Sequence, residues 1–392
     1  MGRRATGEGT TYFDENKKIW VYQISYHDEQ GKRQRKKFKS KAKRDAMTKG
    51  KSFLAELDRG LKPCEVNMTV GRWIDEWLPN YVRTRVRPRT YEKYKSSVMV
   101  YIYPYFKDTL LSELNAGDLQ RHFNSLLQKG RQDGTGLSSS TVRATRRYFC
   151  MCIDDAVKAD IIPRNVIRFT KPAKLQKNEI VVLSKDKLTE LVQTACKLDH
   201  PYMSVMLPEL IKFTAHTGLR QGEVFGLTWD DIDFGQGAIF VRRSLAYVVG
   251  QGSVFQEPKT KNSRRRVLLL PKDVESLKKY QNWQKCYADA LGDKYDNTNL
   301  VFTSVFGQPI RPTNFLRRYF RPLLKKCGIS EKFTFHGLRH THATMLLKQG
   351  VNPKIVQERL GHSSIKVTMD TYSHVLPDMQ RQAVEALSRL LT

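Results

Sequence analysis

The chain has 392 residues, enough for two or three domains and too many for one ordinary hydrophobic core. Lysine and arginine outnumber aspartate and glutamate by 68 to 39, and the net charge of +29 predicts a polyanionic partner, with nucleic acid as the first candidate. A basic ribosome-associated or membrane-surface factor is the alternative that composition leaves open.

The sequence lacks the apolar segments of membrane and exported proteins. It has no run of 18 apolar residues, and no apolar stretch follows Arg3 and Arg4. The six cysteines are scattered, and only Cys150 and Cys152 lie close together, with no second pair to complete a zinc site. We therefore expect a soluble, cytoplasmic protein with reduced thiols and no membrane partner.

Residues 10–62 predict a three-stranded sheet followed by one helix. Turn signals at residues 14–16 and 29–31 separate three short strand-like runs, and the apolar spacing in KAKRDAMTKGKSFLAELDRG indicates a helix that ends near Gly60. Up to residue 62 the chain carries 17 lysines and arginines against 8 aspartates and glutamates. A sheet that inserts into a DNA groove is the favoured interpretation, and a solvated basic face is the alternative.

From Thr69 the apolar period becomes helical. One predicted stripe consists of Val70, Trp73, Ile74, Trp77 and Tyr81. Further helices are predicted over residues 90–98, from the N-cap Asn115 to Gly130, and over residues 140–157. The pattern indicates an all-helical module with the aromatic stripes in its core.

A basic stretch with two prolines and no sustained period predicts a linker over residues 169–182. A helix beginning at Leu188 opens the next region, which is predicted to be mostly helical. Residues 238–270 are the exception, because AIFVRRSLAYV and SRRRVLLL have strand character on either side of the polar stretch GQGSVFQEPKTKN.

Three histidines and an arginine lie close together in FTFHGLRHTHATMLL, at the predicted start of a helix. His336 precedes Arg339 by three residues and His340 by four, so their side chains project from overlapping helix faces. A zinc site would need two or three of the histidines and an outside carboxylate or thiolate, and the spacing is a weak signal for it. A polar helix face is the other alternative for this stretch alone.

Two upstream motifs add charged side chains. TGLRQGEVFGL puts Arg220 at a loop-to-helix junction with Glu223 one turn later, and PKTKNSRRR puts Lys259 in the predicted strand hairpin. The Glu223 side chain is expected to orient Arg220, and an ordinary surface acid is the alternative.

A downstream motif places a histidine and a tyrosine near helix ends. In VNPKIVQERLGHSSIKVTMDTYSHV, Asn352 can cap a helix that starts at Pro353 and Gly361 can end it. His362 then lies just beyond a helix terminus, and Tyr372 follows ten residues later.

The ordered set resembles the active site of the tyrosine recombinase (phage integrase) family, whose matching residues here are Arg220, Lys259, His336, Arg339, His362 and Tyr372. The phrases TGLRQGE, PKTKNSRR, HGLRHTHAT and LGHSSIKVTMDTYSHV look like those of integrases from conjugative transposons and temperate phages. Each motif alone is common, whereas the full ordered set is highly specific and the resemblance covers the whole chain. One departure is the spacing from His362 to Tyr372, which is ten residues here and nine in many members.

The residue types suit phosphoryl transfer. A phosphodiester gains negative charge on its non-bridging oxygens as a nucleophile adds, and the guanidinium groups of Arg220 and Arg339 can each bind a pair of oxygens. A tyrosine with a pKa of about 10 is almost wholly protonated at neutral pH, so a base or the cationic cluster must activate Tyr372. The sequence shows no acidic cluster for magnesium and no GxxxxGK[ST] loop, so we expect no metal and no cofactor.

The resemblance implies a role for each residue. Tyr372 attacks the DNA to form a covalent 3′-phosphotyrosyl link, and Lys259, whose pKa should fall beside arginines, protonates the departing 5′ oxygen. His336 and His362 add hydrogen-bond donors, with proton transfer assigned to His336. The neighbouring His340, together with His342, is expected to be a structural partner of the site.

The implied fold is multidomain α+β. Residues 1–62 form an arm-type DNA-binding domain of a three-stranded sheet plus a helix, and residues 66–168 form an all-α core-type DNA-binding domain. After the linker at residues 169–182, residues 183–392 form a mainly α catalytic domain with a small sheet, the tyrosine recombinase catalytic fold.

The implied function is site-specific recombination, the integrase or excisionase reaction of a mobile element, by a homotetramer on double-stranded DNA with core-type and arm-type sites. An excisionase (directionality factor) and a host DNA-bending protein are the implied accessory partners, in the nucleoid of a bacterial cytoplasm. The C-terminal stretch LPDMQRQAVEALSRLL has one apolar helical face, which could pack in its own chain or on a neighbour. Two alternatives are kept: a type IB topoisomerase that relaxes DNA, and a non-enzymatic architectural DNA-binding protein.

Overall fold

The structure is a computed structural model that describes residues 9–15, 17–27, 33–57, 68–175, 180–248, 250–257, 264–372, 384, 387–389 and 391. The chain divides into two compact units, Met1–Lys177 and Asn178–Thr392. The predicted division into three domains and a linker stays a prediction.

The first unit begins with the predicted sheet and helix. The strands β1 (Thr10–Asp14), β2 (Ile19–His27) and β3 (Arg33–Ser40) are antiparallel in the order β1-β2-β3, and α1 spans Lys43–Leu57. The predicted strands and helix are confirmed, although Gly60 lies outside the described residues. The small core of this part consists of Tyr22, Ile24, Ala46 and Phe53.

The strand β3 has one strongly basic exposed face. Its residues alternate between exposed and half-buried, as expected where one side of a strand faces solvent. The exposed side chains are Arg33, Arg35, Lys37 and Lys39. A row of cations about 7 Å apart therefore projects along this strand.

Five helices follow in the first unit: α2 (Val70–Trp77), α3 (Pro88–Tyr101), α4 (Tyr103–Phe106), α5 (Ala116–Lys129) and α6 (Ser139–Lys158). They confirm the predicted helices, and Asn115 caps α5 as predicted, since its Oδ1 accepts from Asp118 N at 2.9 Å. Of the predicted apolar stripe, Val70, Trp73, Ile74 and Trp77 lie in α2 and are buried in the core, whereas Tyr81 lies beyond the end of α2 and is half-buried against that core. Hydrophobic burial of these side chains therefore stabilises the packing of the helical module.

One buried carboxylate links three parts of this module. Asp155, in α6, accepts a hydrogen bond from Trp77 Nε1 at 2.8 Å and pairs with the guanidinium of Arg85. Burial by itself would raise the pKa of Asp155, but hydrogen bonds from Arg85 and Trp77 outweigh burial and lower it. The carboxylate is thus held as the anion inside the module.

The second unit is mainly helical. Its helices are α7 (Lys185–Cys196), α8 (Met203–Thr217), α9 (Gln221–Phe225), α10 (Pro271–Leu291), α11 (Pro312–Phe315), α12 (Arg321–Lys326), α13 (Phe335–Lys348), α14 (Pro353–Leu360) and α15 (Ile365–Tyr372). Its strands are β4 (Ile232–Asp233), β5 (Ala238–Val241), β6 (Ser244–Val248), β7 (Gly252–Gln256) and β8 (Arg265–Leu268). The antiparallel sheet has the order β4-β5-β8, and β6 and β7 form a separate hairpin.

The hairpin corrects one part of the sequence interpretation. The sequence predicts GQGSVFQEPKTKN to be a polar connection between strands, but Gly252–Gln256 within it forms β7 and pairs with β6. Gly250 and Gly252 have φ angles of 81° and 77°, so they reverse the chain there and free the residues after them to pair. Lys259, predicted to lie in this hairpin, is outside the described residues.

The predicted C-terminal apolar helix face is largely outside the described part of the chain. Met379, Ala383 and Leu390 of this face are not among the described residues, and Leu387 is 56% exposed. The packing of this stretch on its own chain or on a neighbour stays a prediction with two alternatives.

The Asp155 contacts predict that the Asp155→Asn variant destabilises the helical module by about 1–3 kcal/mol. The amide oxygen can still accept from Trp77, but the charge-assisted bond to Arg85 is lost. Urea unfolding of the full chain, with hydrogen exchange of the α6 amides as the local readout, measures the effect. Asp160→Asn is the matched control, because Asp160 is exposed with a φ of 57° that asparagine tolerates. Equal stability of both variants would contradict the role of Asp155.

Candidate active site

Helix ends in the second unit position most of the predicted site residues. Arg220 directly precedes α9, and His336 and Arg339 lie in the first turns of α13. His362 follows α14 by two residues, and Tyr372 is the last residue of α15. Local capping explains the start of α14, because Asn352 Oδ1 accepts from Lys354 N at 2.8 Å, as predicted from the sequence.

Arg220 is held at two of its guanidinium nitrogens. Its Nη1 donates to Glu223 Oε1 at 2.9 Å, and its Nη2 donates to Gly361 O at 2.8 Å. The side chain is still 36% exposed. Since a guanidinium carries five N–H donors, the orientation of Arg220 is fixed while other donors stay available to an anion.

Glu223 is buried, so the alternative of an ordinary surface acid is wrong. Besides Arg220 Nη1, its carboxylate accepts from Arg220 N at 2.9 Å and from Arg265 Nη1 and Nη2 at 3.1 and 2.9 Å. Burial alone would raise the pKa of Glu223, but the hydrogen bonds and charge of Arg265, with the charge of Arg220, lower it to about 2. Glu223 therefore stays an anion between two arginines.

Arg265 is a site residue that the sequence interpretation missed. Its side chain is only 7% exposed, and its Nε donates to Arg359 O at 2.8 Å, so it connects β8 with both Glu223 and the end of α14. A signal was present in the strand period, because Arg265 lies two residues before the buried Val267 and so shares its face of β8.

Arg339, the second of the two arginines predicted to bind phosphate, is 1% exposed. Its Nη1 donates to Gly218 O at 2.9 Å, whereas its Nη2 is buried and has no hydrogen-bond partner among the described residues. Burial and the like charge of Arg220 lower the pKa of Arg339 to about 9. An anion at this site would relieve both the unpaired donor and the repulsion between the arginines.

Both carbonyls that anchor the arginine pair belong to glycines at helix ends. Gly218 ends α8 with a φ of 68°, and Gly361 ends α14 with a φ of 68°, the left-handed conformation that only glycine adopts at low cost. A Cβ atom on Gly218 would lie 2.5 Å from His342 Cδ2, and one on Gly361 would lie 2.9 Å from Arg265 Nη1. Each position therefore needs glycine for backbone and for space.

The two predicted phosphate-binding histidines have strongly lowered pKa values. The pKa of His336 falls to about 4 because the ring is partly buried and because the charges of His340 and Arg339 lie nearby. Part of the residue is still exposed to solvent. Burial, Arg339 and Arg220 lower the pKa of His362 to about 3, and His362 Nδ1 lies 2.8 Å from Thr368 Oγ1. Both rings are neutral at pH 7 in the chain alone.

Tyr372 is 1% exposed and packs against apolar side chains of α13 and α14. Its hydroxyl lies 2.8 Å from His340 Nδ1. Burial raises the pKa of Tyr372 to about 12, against the opposing charge of Arg339. The predicted nucleophile is therefore a neutral phenol here, and His340 contacts its reacting oxygen.

His342 differs from His340 in its contacts. It is buried, its Nδ1 donates to Ala215 O at 2.9 Å, and its Nε2 accepts from Arg359 Nε at 3.1 Å. Burial and the charge of Arg359 lower the pKa of His342 to about 3. His342 thus joins α8, α13 and α14 behind the site as a neutral structural residue.

The structure brings five of the six predicted catalytic residues, with Glu223, into one electrostatically coupled group. The remaining residue, Lys259, lies outside the described part of the chain. Within the part that is described, no group of three or more histidine, cysteine, aspartate or glutamate side chains could hold a metal ion. No described helix has both the length and the apolar character to cross a membrane.

Two family models match the chain. The phage integrase family model matches residues 181–379, and the model of the N-terminal SAM-like domain of phage integrases matches residues 69–127. A XerC-like tyrosine recombinase of Caldanaerobacter subterraneus subsp. tengcongensis is 31% identical, over 97% of this chain and 98% of its own. The ICEBs1 integrase of Bacillus subtilis is 27% identical, over 78% and 79% of the two chains.

Solved structures show the same fold. The Tn1549 transposon integrase in complex with a circular intermediate DNA superposes with a TM-score of 0.68 at 21% identity, over 82% of this chain and 99% of that one. A lambda integrase tetramer bound to a Holliday junction gives a TM-score of 0.57 at 19% identity, over 94% and 96% of the two chains. At these identities the likeness is one of fold.

The chain belongs to the phage integrase family of tyrosine recombinases. The predicted fold class is confirmed, and the protein is a site-specific recombinase of the kind encoded by mobile elements, an enzyme that cuts and rejoins DNA. The comparisons give no support to the topoisomerase or the non-enzymatic alternative.

The lowered pKa of Glu223 predicts an acid-labile site. A carboxylate with a folded-state pKa of about 2 and an ordinary value of 4.5 stabilises the fold above pH 4.5 and loses that contribution as the pH falls towards 2. Between pH 6 and pH 2 we expect the wild type to lose about 3 kcal/mol more unfolding free energy than Glu223→Gln. Urea unfolding at several pH values measures this. Glu358→Gln, at an exposed glutamate of α14, is the control and should show the same dependence of unfolding free energy on pH as the wild type. If Glu223→Gln also showed the wild-type dependence, the prediction would be wrong.

Proposed function

We propose that Tyr372 is the nucleophile of this recombinase and that Arg220 and Arg339 bind the scissile phosphate. The observation that carries the proposal is the convergence of two anchored guanidinium groups, two neutral histidines and a buried tyrosine in one unit. Preset positive donors stabilise the charge that grows on the non-bridging oxygens as phosphorus becomes pentavalent. The Nη2 of Arg339, which has no hydrogen-bond partner in the part of the chain that the structure describes, supports this role.

The proposed reaction is a direct displacement at phosphorus. The phenolic O–H bond of Tyr372 breaks and its proton passes to a basic side chain of the site. The phenolate oxygen bonds to phosphorus, and the bond to the 5′ oxygen breaks with its electron pair on that oxygen. Lys259 gives this oxygen a proton, and His336 and His362 donate hydrogen bonds to the phosphate. The covalent 3′-phosphotyrosyl link conserves the phosphodiester energy, so rejoining by a 5′ hydroxyl needs no nucleotide cofactor.

Phosphate binding should change the protonation of the site. The lowered pKa values of His336 and His362 arise in part from the arginine charges, and a bound phosphate anion offsets those charges. Because Tyr372 is 1% exposed, DNA binding must also shift α15 or its neighbours for the phosphate to reach the hydroxyl.

We propose that each predicted domain has the function that the family resemblance implies. Residues 1–62 bind arm-type DNA through the sheet, and residues 66–168 bind core-type DNA. Residues 169–182 are the linker, and residues 183–392 form the domain that catalyses DNA cleavage and rejoining. The exposed cations of β3 support the first assignment, and the SAM-like family match supports the second. The lambda integrase tetramer on a Holliday junction supports assembly of four protomers on double-stranded DNA. The proposed accessory partners are an excisionase and a host DNA-bending protein. The proposed location is the bacterial cytoplasm.

Tyr372→Phe should bind DNA as the wild type does and form no covalent complex, because the ring is kept and the nucleophilic oxygen is removed. A nicked duplex spanning the joined ends of the encoding element traps the covalent complex, which a denaturing gel detects. Tyr319→Phe, at a half-buried tyrosine of the same unit, is the control. Covalent complex formed by Tyr372→Phe would refute the assignment of the nucleophile.

Reversing charge on β3 should weaken binding to arm-type DNA and leave cleavage of a core-type duplex intact. For Arg35→Glu/Lys37→Glu we expect the slope of log affinity against log salt to fall in magnitude by about 2, because each phosphate that a cation no longer neutralises removes roughly one unit. Lys49→Glu/Lys51→Glu makes the same change of charge at exposed positions of α1 and is the matched control. Equal slopes for the two double variants would argue against the exposed face of β3 as the DNA-binding surface.

A further inference from the structure

The hydroxyl of Tyr372 has a single hydrogen-bond partner among the described residues, and that partner is not one of the six residues matched to the active site of the family. His340 Nδ1 lies 2.8 Å from Tyr372 Oη, with the ring centroids 5.7 Å apart. Tyr372 as a residue is 1% exposed, so its side chain has almost no contact with bulk water. His340 is therefore the group in contact with the proton that must leave before attack.

The contact fixes the tautomer of His340. A buried phenol needs an acceptor for its hydrogen, and Nδ1 of His340 is the acceptor within reach, so the ring hydrogen lies on Nε2. Burial and the charge of Arg339 lower the pKa of His340. The ring is thus neutral at pH 7, with the Nδ1 lone pair directed at the phenolic hydrogen.

His340 is also fixed beside the proposed phosphate ligands. It follows Arg339 directly, and it lies one turn after His336 on the same face of α13. The rings of His336 and His340 are in edge-to-face contact, with centroids 4.8 Å apart and planes at 86°. The backbone of α13 therefore keeps His340 close to the phosphate when the tyrosine meets it.

We propose, on the basis of the proposed function, that His340 is a catalytic residue that accepts the phenolic proton of Tyr372 during cleavage and returns it during rejoining. The motif pattern favours His336 for proton transfer, but the described contacts of the His336 ring include His340 and no hydrogen bond to Tyr372. In this proposal His336 donates a hydrogen bond to the phosphate, and His340 accepts the proton of the nucleophile Tyr372.

The proton balance is closed within the site. In cleavage, the O–H bond of Tyr372 breaks, the proton moves to His340 Nδ1, and the oxygen lone pair forms the bond to phosphorus while Lys259 protonates the leaving 5′ oxygen. In rejoining, the 5′ hydroxyl returns its proton to Lys259 and attacks phosphorus. The protonated His340 then gives its proton back to the departing Tyr372 oxygen.

Two substitutions separate proton acceptance from hydrogen bonding. In His340→Asn, the amide oxygen takes the place of Nδ1 as an acceptor but is not protonated at neutral pH, and His340→Ala removes both properties. With the full chain and the nicked duplex described above, we expect both variants to bind DNA normally and to form covalent complex at least about 100-fold more slowly. His200→Asn is the matched control, because its Nδ1 accepts a backbone N–H, from Met203 at 3.4 Å, and makes no hydrogen bond to a tyrosine hydroxyl of the described residues.

A sulfur leaving group identifies the proton that His340 handles. A 5′-bridging phosphorothiolate leaves without protonation, so it should restore much of the rate of Lys259→Ala and none of the rate of His340→Asn. A His340→Asn rate within about threefold of wild type, a faster rate for His340→Ala, or rescue of His340→Asn by sulfur would each overturn the proposal. If the wild type itself forms no covalent complex, or Tyr372→Phe forms one, the proposed function fails instead.

Discussion

The active site depends on one carboxylate shared by two arginines. Glu223 accepts from both the backbone and the side chain of Arg220, and the fork of Arg265 binds the same two oxygens from β8. Without this anion, the cationic cluster would repel itself inside a weakly screened environment. The carboxylate therefore makes it possible to bury positive charge at the proposed phosphate-binding site.

The charge of the remaining side chains follows from this arrangement. Glu223 compensates Arg220 and Arg265, but Arg339 keeps a lowered pKa and a buried donor with no partner in the described part of the chain. The histidines respond by staying neutral. In the proposed reaction the scissile phosphate supplies the counter-charge, and it would meet a set of donors whose geometry is already fixed by helix ends.

Local chemistry made part of this site predictable from the sequence. Asn352, Pro353 and Gly361 mark both ends of α14 because capping and left-handed glycine signals act within a few residues. The spacing of Arg220 and Glu223 likewise predicted their pairing, because one helical turn separates them. These signals needed no knowledge of the rest of the fold.

Contacts between distant parts of the chain were not predictable in the same way. Residues 264–266 are three similar arginines, and only the burial of β8 distinguishes the one that reaches Glu223. His340 meets Tyr372 across 32 residues because the Tyr372 side chain packs against α13 and α14, which no local pattern encodes. The strand β7 was missed because its short run lies between glycines and charges, where pairing with β6 decides the structure.

The two glycines whose carbonyls anchor Arg220 and Arg339 have a consequence for engineering. Gly218 and Gly361 each combine a left-handed backbone with a neighbour too close for any side chain, and their carbonyls aim the guanidinium groups. Libraries made to retarget the recombinase to a new DNA sequence should therefore keep codons 218 and 361 invariant. Diversity belongs in the surfaces that read DNA, where a changed side chain alters recognition without misdirecting Arg220 and Arg339, the proposed phosphate ligands.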